Sequence, residues 1–70
     1  MATYKVFRAF DKDIDKSIVS YFGNCLNRGN DYNNFMIRAD NDSVTAWDNY
    51  DSVTISKQDI PNKIARKLYL

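Results

Sequence analysis

Apolar and polar residues alternate between Phe35 and Ser56, and this alternation predicts a three-stranded antiparallel meander. Two-residue loops at Asn41-Asp42 and Asn49-Tyr50 give both hairpins one register, and Asn favours the positive φ of such tight loops. One side of the sheet then carries Phe35, Ile37, Ala39, Val44, Ala46, Val53 and Ile55, and the other carries Met36, Arg38, Thr45, Trp47, Ser52 and Thr54. A shift of one residue would mix the two sides, so the agreement between both hairpins supports the register.

A strand and a helix are predicted before the meander. The run from Thr3 to Phe10 is rich in aromatic and β-branched residues, and its apolar residues predict a strand with both sides partly covered. A helix then extends to about Asn27, where Gly29 or Asn30 can take the left-handed conformation that ends helices. Its N-terminus can be capped by Asp11, Asp13 or Asp15. Its apolar stripe consists of Ile14, Ile18, Tyr21, Phe22, Cys25 and Leu26.

A second helix is predicted from about Asp59 to Leu70, with Asp59 as its cap and Pro61 in its first turn. Its buried side consists of Ile60, Ile64, Ala65 and Leu68. The element order β-α-β-β-β-α predicts one small α+β domain over residues 1–70, with two layers. Both helices pack on one face of the antiparallel sheet, and the neighbour of the first strand is left open.

Composition favours a folded protein that works in a reducing compartment. The chain is 44% hydrophobic, and its single cysteine, Cys25, cannot form an internal disulfide, which is typical of a cytoplasmic protein. No apolar run is long enough to span a membrane, and no signal-peptide pattern is present. Charge is uneven: residues 31–56 hold five aspartates against one arginine, a net −4, and residues 57–70 hold four cations against one aspartate, a net +3.

The residue inventory argues against catalysis and against a cofactor or metal. The chain has no His and no Glu, so the commonest general base and metal ligand are missing. Cys25 falls on the apolar stripe of the first helix, which predicts a buried small hydrophobe. The aspartates at 11, 13 and 15 imitate the start of a calcium loop, but Lys16 and Phe22 occupy the positions that need Gly and Glu, so capping is the preferred interpretation.

Three surfaces are candidates for binding a partner. Aspartates bracket the two hairpin loops, at Asp40, Asp42, Asp48 and Asp51; they are ordinary turn residues, or they imitate phosphates and occupy a basic groove on another protein. The sheet side away from the helices holds Met36, Arg38 and Trp47, residue types enriched at recognition surfaces. The second helix offers Lys63, Arg66 and Lys67, either as a solvated face or as alternative nucleic-acid contacts.

The run FMIRADND, from Phe35 to Asp42, in an acidic meander between two helices, resembles small phage-encoded anti-CRISPR proteins that block the CRISPR-Cas nuclease. Some of these proteins are compact α/β units that compete with the target DNA through acidic side chains. The resemblance implies a class, a stoichiometric inhibitor of a host machine, and no catalytic residue. The strand before the first helix departs from the helix-first pattern of that family.

The leading hypothesis is therefore a small non-enzymatic protein from a phage or mobile element, which inhibits a host protein in the host cytoplasm through an acidic sheet surface. The class of target is a CRISPR-Cas or other nucleic-acid-handling protein. A first alternative is a nucleic-acid-binding module that uses the basic second helix. A second is a self-associating structural protein that pairs through the open sheet face or an unpaired edge strand. A monomer or weak homodimer without membrane contact is expected.

Overall fold

A computed structural model describes residues 4–69, in which four antiparallel strands form one sheet in sequential order. The strands are β1 (Lys5–Arg8), β2 (Met36–Ala39), β3 (Ser43–Trp47) and β4 (Ser52–Ser56). The helices are α1 (Lys16–Cys25) and α2 (Asn62–Tyr69), and a short 3-10 helix (Lys57–Asp59) connects β4 to α2. The element order confirms the predicted α+β fold.

The predicted meander register is confirmed at both hairpins. Ala39 pairs with Val44 across the first hairpin, and Ala46 pairs with Val53 across the second. The five meander residues from Phe35 to Ala46 on the predicted inner side are buried, and Val53 and Ile55 pack against them partly buried. The same cluster contains the apolar sides of both helices, so α1 and α2 cover one face of the sheet and leave the other face open.

The hairpin loops have the predicted length but not the predicted backbone. The N–H of Asp40 donates to the carbonyl of Ser43 at 2.8 Å, and the N–H of Asp48 donates to the carbonyl of Asp51 at 2.9 Å, which closes two-residue loops. Among residues 4–69, Asn27 alone of the non-glycine residues has a positive φ, so the expectation of positive φ at the loop asparagines is wrong. At the second loop, side-chain hydrogen bonds to backbone N–H groups hold the turn instead.

Strand β1 joins the sheet at its edge, antiparallel to β2, which resolves the neighbour that the sequence left open. It is shorter than the predicted run, and Thr3 lies outside the described residues. Phe7 and Ala9 turn towards the core, whereas Tyr4 and Val6 lie on the open face, each 49% exposed. The helices therefore cover one side of β1, and the other side faces solvent.

Helix α1 has caps at both ends that follow from its sequence. Asp15 accepts the N–H of Ser17 at 2.8 Å, so the predicted capping by an aspartate is confirmed at this position. At the other end, Asn27 has φ 61° and the N–H of Arg28 donates to the carbonyl of Gly23 at 2.9 Å, which is the Schellman arrangement. The left-handed residue that ends the helix is therefore Asn27, and not Gly29 or Asn30 as the sequence predicted, although Gly29 also has a positive φ, at 96°.

Helix α2 begins three residues later than predicted. Ile60 is extended, with φ −87° and ψ 135°, so Asp59 ends the 3-10 turn and does not cap α2. A residue before a proline avoids the helical backbone region for steric reasons, so Pro61 keeps Ile60 extended. The carbonyl of Pro61 then accepts the first α2 hydrogen bonds, from Ile64 and Ala65. The predicted inner side is confirmed, with Ile60, Ile64 and Leu68 buried and Ala65 partly buried.

Candidate binding surfaces

The open face of the sheet is an uncovered surface made of apolar, aromatic and arginine side chains. Pairing across the strands aligns Val6 with Arg38 and Arg8 with Met36, and Met36 lies opposite Trp47. The strand positions on this face within residues 4–69 hold two arginines and no carboxylate. Short hydroxyl side chains fill the rest of β3 and β4, and the hydroxyls of Thr45 and Thr54 lie 3.1 Å apart.

Aromatic rings border this face at two points. The guanidinium of Arg38 lies over the ring of Tyr4, 4.4 Å from its centroid, and its Nε donates to Asp40 at 3.1 Å. At the other end, a shallow depression lies between Met36, Trp47 and Phe10, and Phe10 is 55% exposed just beyond β1. The predicted grouping of Met36, Arg38 and Trp47 on one face is therefore what the structure shows, and β1 widens it. We call this surface the open face.

The predicted acidic residues do not form one surface. Asp40 and Asp42 lie at the start of β3, and Asp48 and Asp51 lie beyond its end. A strand rises about 3.4 Å per residue, so Asp42 and Asp48, six residues apart, are separated by roughly 20 Å. One partner surface would have to span the whole sheet to contact both pairs.

Asp48 holds the second hairpin loop and is not available to a partner. Its side chain is 1% exposed, and its Oδ1 accepts the N–H groups of Tyr50 and Asp51 at 2.8 and 2.7 Å. Its Oδ2 accepts the hydroxyl of Tyr32 at 2.9 Å and Nε of Arg28 at 3.3 Å. The backbone hydrogen bonds hold the pKa of Asp48 well below its ordinary value. Asp48, which the sequence suggested as a partner contact, therefore has a structural role in the loop.

Arg28 connects α1 to the second hairpin loop, a connection that no sequence pattern predicted. Its Nη2 lies 2.6 Å from Oδ2 of Asp51, whose side chain is 58% exposed. The guanidinium also lies about 6 Å from the ring centroids of Tyr32 and Tyr50. Hydrogen bonding to Asp48 raises the pKa of Arg28. A cation placed just after a helix stop is the only signal, and it does not identify a partner 20 residues away.

The first hairpin loop is anchored by α2. The hydroxyl of Tyr69 donates to the carbonyl of Asp40 at 2.5 Å, and burial is the main cause of the raised pKa of Tyr69. The N–H of Lys57 donates to the carbonyl of Asp42 at 2.8 Å. Asp40 is paired with Arg38 at the rim of the open face, and Asp42 is exposed.

The basic candidates on α2 differ in how far they are engaged. Lys63 and Arg66 are exposed. Nζ of Lys67 lies 3.0 Å from Oδ2 of Asp15 and donates to the hydroxyl of Ser17 at 2.8 Å, so Lys67 ties α2 to the start of α1. The Ser17 hydroxyl donates to Oδ1 of Asp15 at 2.5 Å. This hydrogen bond is the largest cause, and the Lys67 contact the next, of the lowering of the Asp15 pKa to about 2.

Cys25 and the aspartates before α1 are the residues that the sequence raised as candidates for nucleophilic or metal chemistry. Cys25 is partly buried beside Tyr21, and burial raises the pKa of its thiol, which reduces its nucleophilic character. Within residues 4–69, no group of three or more ligating side chains is placed to hold a metal ion. Asp15, at the end of the calcium-loop-like run, instead caps α1.

Comparison with protein-family models, with curated proteins and with solved structures gives no significant match for this chain. The helices within residues 4–69 are all too short or too polar to cross a membrane. The arrangement of the open face is therefore the basis for any functional proposal.

Proposed function

We propose that this chain is a small non-enzymatic binding protein that inhibits a host protein by covering one of its functional surfaces with the open face. The observation that carries the proposal is the composition of this face, where the half-buried Met36 and Trp47 lie together with exposed aromatic, valine and arginine side chains and no helix within residues 4–69 covers them. Trp, Tyr and Arg supply most of the binding energy at protein interfaces, and charged residues other than Arg are rare at their centres.

The contact set differs from the one the acidic turns suggested. Met36, Arg38 and Trp47 form its centre, and Tyr4 and Val6 extend it across β1. Asp40 and Asp42 lie beyond one end of β3 and Asp51 beyond the other, so they serve as peripheral contacts. A target that fits this surface offers apolar side chains at its centre and carboxylates towards the arginines.

We infer the origin and the target class from the resemblance of residues 35–42 to anti-CRISPR proteins. The proposed origin is a phage or mobile element. The proposed target is a CRISPR-Cas or other nucleic-acid-handling protein of the host cytoplasm. A stoichiometric inhibitor of this kind needs a rigid surface and no cofactor. The open face, built on paired strands, is such a surface.

The test is affinity capture from a host lysate, with the captured proteins identified by mass spectrometry. The intact tagged protein is compared with the double variant Arg38→Ser/Trp47→Ser, and circular dichroism verifies the fold of each. Tyr50→Ser is the matched control, because Tyr50 is an 82% exposed aromatic residue in a hairpin loop away from the centre of the open face.

The proposal predicts one host protein that is captured by the intact chain and by Tyr50→Ser and lost from the double variant. Loss on Asp40→Asn/Asp42→Asn with retention on the double variant would instead assign the contact to the first acidic loop. Retention on all variants would exclude both surfaces.

The same material tests the two alternatives. Nucleic-acid binding would appear as affinity that falls steeply with salt and is lost on Lys63→Ala/Arg66→Ala. Self-association would appear as a dimer mass in solution that is lost on Trp47→Ala. The proposed inhibitor is a monomer without affinity for DNA.

A further inference from the structure

A groove of about 640 Å³ lies beside β1, between this strand and the segment that leads into α1. Val6, Arg8 and Met36 line it from the open face and Phe7 from the core face, so it wraps around the outer edge of β1. Ile14 and Ile18 form the apolar part of the opposite wall. The volume is within the range of ligand sites.

The outer edge of β1 has backbone groups that no strand of residues 4–69 satisfies. The N–H of Ala9 donates to the carbonyl of Phe35 at 3.1 Å, so this residue pair is hydrogen-bonded across β1 and β2. Hydrogen-bonded pairs alternate along an antiparallel ladder, so Phe7 bonds to β2, and the backbone groups of Val6 and Arg8 point outwards. The carbonyl of Arg8 accepts the N–H of Asp11 at 3.0 Å, which leaves both groups of Val6 and the N–H of Arg8 open to a further strand.

The groove has an acidic end. Its charged lining consists of Arg8, Asp11, Asp13, Asp15 and Lys67. Asp15 and Lys67 neutralise each other at 3.0 Å, so two carboxylates face one arginine in the rest of the lining. Both carboxylates follow the C-terminal end of β1, where a strand paired antiparallel to β1 would begin.

We propose that β1 accepts an extended peptide segment of a protein partner as a fifth strand of the sheet. The segment runs antiparallel to β1, hydrogen-bonds to the backbone of Val6 and Arg8, and places alternate apolar side chains against the half-buried Phe7 and Ile14. Basic residues at its N-terminal end lie near Asp11 and Asp13. The groove shares Val6 and Met36 with the open face, but the proposed contacts are backbone groups at the edge of β1, so the proposal does not depend on the inhibitory role.

The probe is a blocked heptapeptide with two lysines followed by alternating valine and threonine. It is titrated into the intact, isotopically labelled protein, and hydrogen exchange of individual amides is followed by NMR. The N–H groups of Val6 and Arg8 should exchange at least about tenfold more slowly at saturation, whereas the N–H of Phe7, already bonded to β2, should change little. The same peptide with glutamates for lysines should bind several-fold more weakly, and a copy N-methylated on alternate residues should not bind.

Val6→Pro removes the outward N–H at an edge position that tolerates proline, and should weaken binding about fivefold, the effect of one lost hydrogen bond. Val6→Thr keeps the N–H and is the matched control. If Val6→Pro does not fold, the N-methylated peptide makes the same comparison. Equal binding of the lysine and glutamate peptides, equal binding of the N-methylated copy, or no binding would overturn the proposal. If the protection of the Val6 N–H from exchange rises with protein concentration in the absence of peptide, the edge pairs with a second copy of the chain, and the proposal is overturned.

Discussion

At the scale of single residues, Gly23 shows how the sequence permits the turn after α1. A Cβ at this position would lie 2.6 Å from the backbone carbonyl oxygen of Gly29, closer than atoms can approach without a shift of the chain. The close approach accompanies the helix stop that places Arg28 beside Asp48. A helix pattern alone identifies Gly23 as a residue of low helix propensity, and only the tertiary structure explains it.

We expect Gly23→Ala to lower the free energy of unfolding by about 1 to 3 kcal/mol, because the added methyl group must displace backbone. Urea unfolding followed by circular dichroism measures the change. Lys16→Ala, at an exposed position of the same helix, should change stability by less than about 0.5 kcal/mol. A Gly23→Ala variant as stable as the natural chain would show that the helix end can open without cost.

Two aspartates should make stability depend on pH in the acid range. The pKa of Asp15 is lowered to about 2 and that of Asp48 is lowered further, so both bind fewer protons in the folded than in the unfolded chain. Their contribution is complete above the unfolded value of about 3.9 and is lost as pH falls through the folded values. The contribution of these two groups to the midpoint temperature of thermal unfolding should therefore be constant above about pH 5 and should fall towards pH 2.

Asp48→Asn should lower the midpoint at pH 7 and flatten its fall between about pH 5 and pH 2. Asp13→Asn is the matched control, because the Asp13 carboxylate has none of the contacts that hold Asp48. An unchanged acid profile for Asp48→Asn would contradict the structural role given to this carboxylate.

At the scale of elements, short-range pattern predicted the meander and failed at the start of α2. The register followed from Ala39, Val44, Ala46 and Val53, because two-residue loops leave little freedom in pairing. The beginning of α2 depends instead on Pro61, which holds the preceding residue extended and moves the helix start beyond Asp59. An aspartate two residues before a proline resembles a helix cap in the sequence, but the extended backbone of Ile60 prevents Asp59 from capping α2.

The packing of α2 gives an element-scale prediction. Ile64 is 7% exposed within the core, and Lys63 beside it is exposed. We expect Ile64→Val to lower the free energy of unfolding by about 0.5 to 1.5 kcal/mol and Lys63→Ala to change it by less than about 0.5 kcal/mol. Both are measured by urea unfolding. Equal effects, or the reverse order, would contradict the assignment of the buried side of α2.

At the scale of the whole molecule, charge summed along the sequence misrepresents charge in space. The acidic total of residues 31–56 leaves out Arg28, which folds back onto Asp48 and Asp51 beyond one end of β3. Asp40 and Asp42 lie at the other end of β3, and Asp31 lies in the loop before β2. Arg38 and Trp47 could be placed on the open face from the sequence, because register alone decides their side. Tyr4 and Val6 could not, because the long-range pairing of β1 with β2 decides theirs.

The most direct test of the open face uses Trp47, the only tryptophan in the chain. Acrylamide quenching of its fluorescence is measured on the free protein and on the complex with the captured host protein. The host protein used in the complex is free of tryptophan, or is labelled so that its own fluorescence is separated from that of Trp47. If the open face is the binding surface, acrylamide quenches Trp47 readily in the free protein, and Trp47 is protected in the complex. Weak quenching in the free protein would place Trp47 beneath a covering layer, and unchanged quenching in the complex would place the contact elsewhere; either result would contradict the open face as the binding surface.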